Sequence, residues 1–180
     1  KCKLQPDRAV TNNSPLRSGK GSLYEGGIRV PLIVRLPGSD PIGRTCHIPV
    51  TSNDLLPTLL ALTGFTKNSK GLTLDGVDFS SLLIEDDTPW ERETLFFHYP
   101  HYYSTTTPVS AIRHKNWKLL EYYEKRPVEL YDLERDSGEK HNIATRSPEI
   151  VELLRDKLHD WQTEIEVPIP EPNPRWQPRR

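Results

Sequence analysis

The spacing of apolar residues changes period several times along the 180-residue chain. From 28 to 36 the chain reads Ile28-Arg29-Val30-Pro31-Leu32-Ile33-Val34-Arg35-Leu36. A nearly continuous apolar run of this length predicts a strand buried on both faces. Pro31 lies near its start, where proline is tolerated, and Pro37-Gly38 ends it. A helical period follows. Leu55, Leu59 and Leu62 share one face, and Leu56 and Leu60 widen it. Pro57 fits only a first turn, so the helix starts near 53 or 54, and Gly64 closes it. Residues 65–93 are irregular, apart from a short apolar turn or helix over 79–84 and an acidic bend at Glu85-Asp86-Asp87.

The period then shortens to two. Residues 94–99, 110–114, 118–123 and 129–133 each read as a short strand, and together they predict a small antiparallel meander. Ser147-Pro148-Glu149 is a helix start, with a cap residue, proline at the first position and an acid in the first turn. Ile150, Leu154, Leu158, Trp161 and Ile165 form one helical stripe that would pack on a face of the meander. Prolines 168, 170, 172, 174 and 178 make the tail extended. A strand and helix followed by a meander and helix is an α/β chain in two parts.

The chemistry concentrates earlier, at Gly19-Lys20-Gly21 and the Glu25-Gly26-Gly27-Ile28-Arg29 turn. Glycines let an anion approach the main chain, and a lysine supplies a mobile charge with three N–H donors. The residues alone admit two readings: an oxyanion site at the mouth of a sheet, or a loop whose lysine is merely solvated. Glu25 and Arg29 are spaced to pair across the turn, a structural role that would aim Lys20.

Composition narrows the classes. Lysine and arginine total 24 against 25 acids, so nothing calls for nucleic acid or an anionic membrane. No apolar run approaches the roughly 20 residues of a membrane span. Lys1 in place of Met, and no Met anywhere, suggest a piece of a longer chain. Cys2 and Cys46 lack metal or redox spacing, and Asn12-Asn13-Ser14 is a formal glycosylation sequon. Asp132 to Asp136 lacks the glycine and terminal Glu of a calcium loop and reads as a charged turn.

Four stretches, in order, resemble the type I sulfatases, the arylsulfatase-like sulfuric ester hydrolases. They are Leu16 to Pro31, then Ser52 to Leu60, then Ser110-Ala111-Ile112-Arg113 through Trp117-Lys118-Leu119, then Glu129-Leu130-Tyr131-Asp132-Leu133. The resemblance implies the C-terminal part of an alkaline-phosphatase-like α/β/α sandwich over 1–90. A small α+β domain, a four-stranded antiparallel sheet with a long C-terminal helix, would occupy 91–167, with a Pro-rich tail over 168–180. It also implies a hydrolase of sulfate monoesters, on sulfated glycans or small molecules, in a periplasmic, secreted or lysosomal setting.

The resemblance carries one catalytic, sulfate-contacting residue onto this chain: Lys20. It also puts the 98–103 segment near the active-site mouth. There His98 and His101 would contact substrate and the neighbouring aromatics would face a sugar ring, against the plainer reading of a strand end with ordinary packing. The family nucleophile is a formylglycine made from Cys or Ser in a C/S-x-P/A-S/T-R motif, which neither Cys2 nor Cys46 matches. Its calcium ligands, like the nucleophile, are expected upstream, so no metal ligand is assigned here and the chain alone should be inactive. A phosphoester or phosphonate hydrolase of the same superfamily and a noncatalytic glycan-binding module are the alternatives.

Overall fold

The computed structural model describes residues 12–38, 43–65, 73–85, 88–171 and 173–175. Residues 1–11, which include Cys2 and most of the polar loop expected over 1–14, lie outside them, as do Asp86-Asp87, Pro172 and Pro178. The chain divides into two compact units. One takes in residues up to Val30 and from Glu93 onward, and the other is Pro31–Arg92.

The first unit is built on a four-stranded antiparallel meander, β1 (Thr94–Tyr99), β2 (Val109–His114), β3 (Trp117–Tyr122) and β4 (Glu129–Asp132), in that spatial order. The four expected strands form within a residue or so of their expected bounds. Register aligns Phe96, Ile112, Leu119 and Leu130 across the sheet. This row faces α4 (Pro148–Glu164), which presents Leu154 and Leu158 to it. Burying each such leucine contributes about 1.5–3 kcal/mol, so this face anchors the unit. Trp161 stacks on Phe96 at 4.9 Å. Glu121 of β3 binds Arg155 and His159 of α4, each at 2.6 Å. The apolar stripe continues as far as Trp161, whereas Ile165 lies past the helix end and is exposed.

The opposite face carries Val109, Ala111, Leu120, Tyr122 and Tyr131, alternating with the first set as pleating requires. It is covered by the segment that follows the Lys20 loop, through Leu23, Tyr24 and a single helical turn, α1 (Glu25–Ile28). A segment far away in sequence thus completes the core of the sheet.

The second unit contains α2 (Leu55–Leu62), entered through a 3-10 turn at Ser52–Asp54, and α3 (Ser80–Ile84). Gly64, at φ +71°, ends α2 as its sequence suggests. The polar centre is Asp54, fully buried. Its carboxylate accepts from Arg92 at 2.6 and 2.7 Å and from the N–H groups of Thr51 and Val77. Phe79 and Leu82 pack in this unit's interior.

The strand expected over 28–36 does not form. Residues 29–36 are irregular, and Ile33 is 92% exposed. A strand needs a neighbour to complete its hydrogen-bond ladder, and among the described residues no strand lies beside this run. Its apolar sequence fits a two-sided burial that these residues do not supply. The leucine face of α2 is similarly open, with Leu59 57% exposed.

Candidate functional site around Lys20

The Lys20 loop is held by its own backbone. The N–H of Gly26 donates to the Arg17 carbonyl at 3.0 Å, and Asn13 Nδ2 donates to the Gly26 carbonyl at 2.7 Å. The Ser22 N–H and hydroxyl both bond the Gly19 carbonyl. Gly27 leaves no room for a side chain, because a Cβ there would lie 2.2 Å from the Ser22 carbonyl oxygen. Gly21 sits at φ +85°, a conformation that favours glycine.

Arg17 fastens the front of the loop to the sheet. Its Nη1 donates to Tyr131 Oη at 2.7 Å and to the Glu139 carbonyl at 2.8 Å, and its guanidinium lies 3.8 Å from the centre of the Tyr24 ring. Tyr24 and Tyr131 both donate to Glu129 Oε2, at 2.7 and 2.8 Å. Burial first, then the hydroxyl of Tyr122 at 2.9 Å and the Glu129 carboxylate, push the Tyr24 phenol far above its ordinary range. It stays a neutral donor.

Behind α1 lies a cluster of charges. Lys118, fully buried on β3, donates to Glu25 Oε1 at 2.9 Å and pairs with Glu139 Oε1 at 2.9 Å. The Glu25 N–H donates to Glu139 Oε2 at 2.7 Å. Arg113 and Arg29 approach Glu25 Oε2 at 3.6 and 3.9 Å. Burial raises the Glu139 carboxyl, against the lowering effect of Lys118 and the Glu25 N–H. The expected Glu25–Arg29 pair is therefore the outermost contact of a larger network. Lys118 could have been suspected from the sequence: it shares strand parity with Leu120 and Tyr122, and a lysine on an apolar face needs a carboxylate.

In this frame Lys20 is exposed, and among the described residues its ammonium has no hydrogen-bond or ion-pair partner. Its carbonyl accepts from the Thr105 hydroxyl at 3.3 Å. The loop after β1 therefore meets the Lys20 loop, and Tyr103 lies against Gly21. His101, in the same loop, is exposed and meets the edge of Tyr99 at 5.4 Å.

His98 is not brought to this loop. It pairs with Ser110 in register, on the sheet face that packs against α4. Its Nδ1 is 2.8 Å from Ser110 Oγ and 3.1 Å from Tyr123 Oη, and its Nε2 is 3.2 Å from the Pro168 carbonyl. Gln162 of α4 donates to the same two hydroxyls at 3.0 Å each. Both ring nitrogens of His98 are engaged within the chain. Burial, followed by the charge of His101, holds the imidazole below its ordinary value despite the Pro168 carbonyl. The Asp132–Asp136 stretch folds as a turn, in which Asp136 Oδ2 accepts from the N–H groups of Lys140 and His141.

Comparison with known proteins fits this arrangement. The chain is 34% identical over 172 residues to a sulfatase of Formosa agariphila, a match covering 88% of this chain and 31% of that protein. It is 35% identical over 165 residues to human arylsulfatase A, covering 78% of this chain and 32% of that one. Among solved structures, Ps i-CgsB in complex with k-i-k-neocarrahexaose superposes with a TM-score of 0.68 at 31% identity, over 83% of this chain and 32% of that one. The chain thus spans about a third of the length of the relatives it matches. Residues 19–164, from the Lys20 loop to the end of α4, match the family described as N-sulphoglucosamine sulphohydrolase, C-terminal. The chain belongs to that sulfatase family.

Proposed function

We propose that this chain forms part of a sulfuric ester hydrolase acting on sulfated sugars, and that Lys20 contacts the sulfate. The observation that carries the reading is an ammonium left without a partner among the described residues, on a loop whose backbone is clamped. A cation fixed beforehand stabilises charge that develops on the nonbridging and leaving oxygens of a transferring sulfuryl group. Arg17 and the Lys118 cluster hold the loop, so little rearrangement is needed at the moment of reaction. The sulfated sugar in the family's description and the oligosaccharide bound to Ps i-CgsB support a glycan substrate.

Sulfatases of this type use formylglycine and calcium, and neither fits the residues described here. Cys46 is followed by His47-Ile48-Pro49, and no three His, Cys, Asp or Glu side chains cluster to hold a metal among the described residues. Both groups would come from outside them. His101 stands in the loop beside Lys20 as a polar contact for the sugar. His98 contributes by fixing the end of β1, from which that loop springs.

The test compares, in the complete enzyme, hydrolysis of a sugar sulfate and of the corresponding sugar phosphate. Preferential turnover of the sulfate is expected. Preference for the phosphate would move the enzyme to the phosphoester side of the superfamily.

A further inference from the structure

We propose that Tyr103 is a stacking platform for the pyranose ring of the sugar whose sulfate meets Lys20, an inference that rests on the function proposed above. The platform is set directly on the Lys20 loop. A Cβ at position 21 would lie 2.2 Å from Tyr103 Cδ1 and 2.5 Å from Cε1, so the aromatic ring occupies the space that the missing side chain leaves. Neighbouring Cα atoms are about 3.8 Å apart, which puts the ring one residue from the root of the Lys20 side chain.

The platform is also rigid. Tyr103 and Thr106 exchange two backbone hydrogen bonds, 3.0 and 3.2 Å, and the Thr105 hydroxyl ties the turn to the Lys20 carbonyl. Tyr103 nevertheless remains 49% exposed, and among the described residues its hydroxyl makes no hydrogen bond. Tyr102 beside it is already committed to Glu124.

The chemistry of the turn selects the ligand class. Residues 102–107 are Tyr-Tyr-Ser-Thr-Thr-Thr, aromatic and hydroxylic with no charge. A half-exposed ring in a turn rich in hydroxyl residues suits a sugar, which has a C–H face and a rim of hydroxyls. Lys20, one residue from Gly21, then reads the sulfate. Rigid aromatic area of this kind gives contact at low entropic cost.

The test titrates the complete enzyme, its tyrosine rings isotopically labelled, with N-sulfoglucosamine and with the uncharged N-acetylglucosamine, observing the ring resonances by NMR. Both sugars are expected to shift the Tyr103 ring. Tyr103→Leu should weaken both by about five- to tenfold, and Tyr103→Phe, which keeps the ring, should bind nearly as wild type. Lys20→Ala should weaken only the sulfated sugar. Unchanged binding by Tyr103→Leu, or no binding of either sugar to the wild type at tens of millimolar, overturns the platform. If Lys20→Ala instead leaves the sulfated sugar unaffected while Tyr103→Leu weakens both, the sulfate reading of Lys20 fails and the platform stands.

Discussion

Lys118 and Glu25, 93 positions apart in sequence, meet at 2.9 Å in the interior between the sheet and the turn that follows the Lys20 loop. Lys118 is 0% exposed, and its second carboxylate partner, Glu139, is equally buried. A charge in such a place persists only when it is paired and hydrogen-bonded. The pair therefore ties the orientation of the Lys20 loop to the register of β3.

Removing the lysine alone should be costly. Lys118→Met leaves two carboxylates buried beside each other and is expected to destabilise the first unit by about 3–5 kcal/mol. The deficit should depend on pH. Burial already raises Glu139, and without Lys118 that carboxyl would titrate higher still. A folded value above the unfolded one means stability is lost as pH rises through it. Urea unfolding should show the variant's deficit smallest near pH 4 and growing toward neutrality. A deficit independent of pH would contradict the pairing.

Asp54 should set the acid limit of the second unit. Burial alone would raise its carboxyl, but Arg92's hydrogen bonds, together with the Thr51 and Val77 N–H groups, hold it below the usual carboxylate range. Its contribution is present above the unfolded value, about 4, and is lost as pH falls through the lower folded value. Protection factors of the α2 amides, corrected for intrinsic exchange, should fall on acidification in the wild type. In Asp54→Asn they should be low throughout and nearly flat over the same range.

His98 should act in the same direction at higher pH. Its folded value is lowered, so the unfolded chain binds the proton more readily. The packing around the neutral ring is therefore most stable above about pH 6.5 and weakens as pH falls, because burial and the charge of His101 disfavour the protonated ring, while the bond to the Pro168 carbonyl favours it. Protection factors of the amides around His98 and Ser110, corrected for intrinsic exchange and followed by NMR, should fall below that point, and His98→Phe should remove the dependence. Protection there that rises on acidification would refute the assignment.

Gly21 tests the contact between the two loops. Gly21→Ala must accept a positive φ and push aside the Tyr103 ring, at a combined cost of about 1–3 kcal/mol. Thermal unfolding should show the loss. Pairing the change with Tyr103→Ala should recover the part due to the clash and leave the part due to the backbone.

How much of this was legible in the sequence follows from what each feature depends on. The meander and α4 depend on local alternation and on one helical stripe, so residues 94–133 and 148–164 could be read directly. The run over 28–36 has the composition of a buried strand, but a strand also requires neighbours, and composition does not provide them. Lys20 stood out through its flanking glycines. Its supports did not, because Arg17–Tyr131 and Lys118–Glu25 join residues about a hundred positions apart. His98 drew notice as one of two close histidines, although alternation along β1 already sends it to the opposite face from Phe97 and Tyr99.

The most direct test of the central claim is the turnover of a sulfated sugar by the complete enzyme carrying Lys20→Ala. The variant should fold normally, since the ammonium has no partner among the described residues. Its kcat/KM should fall by about 10²-fold or more, with a large part of the loss in kcat, as expected for charge stabilised in the transition state. A kcat and KM within about twofold of wild type, smaller than any charge-stabilising role allows, would contradict the account.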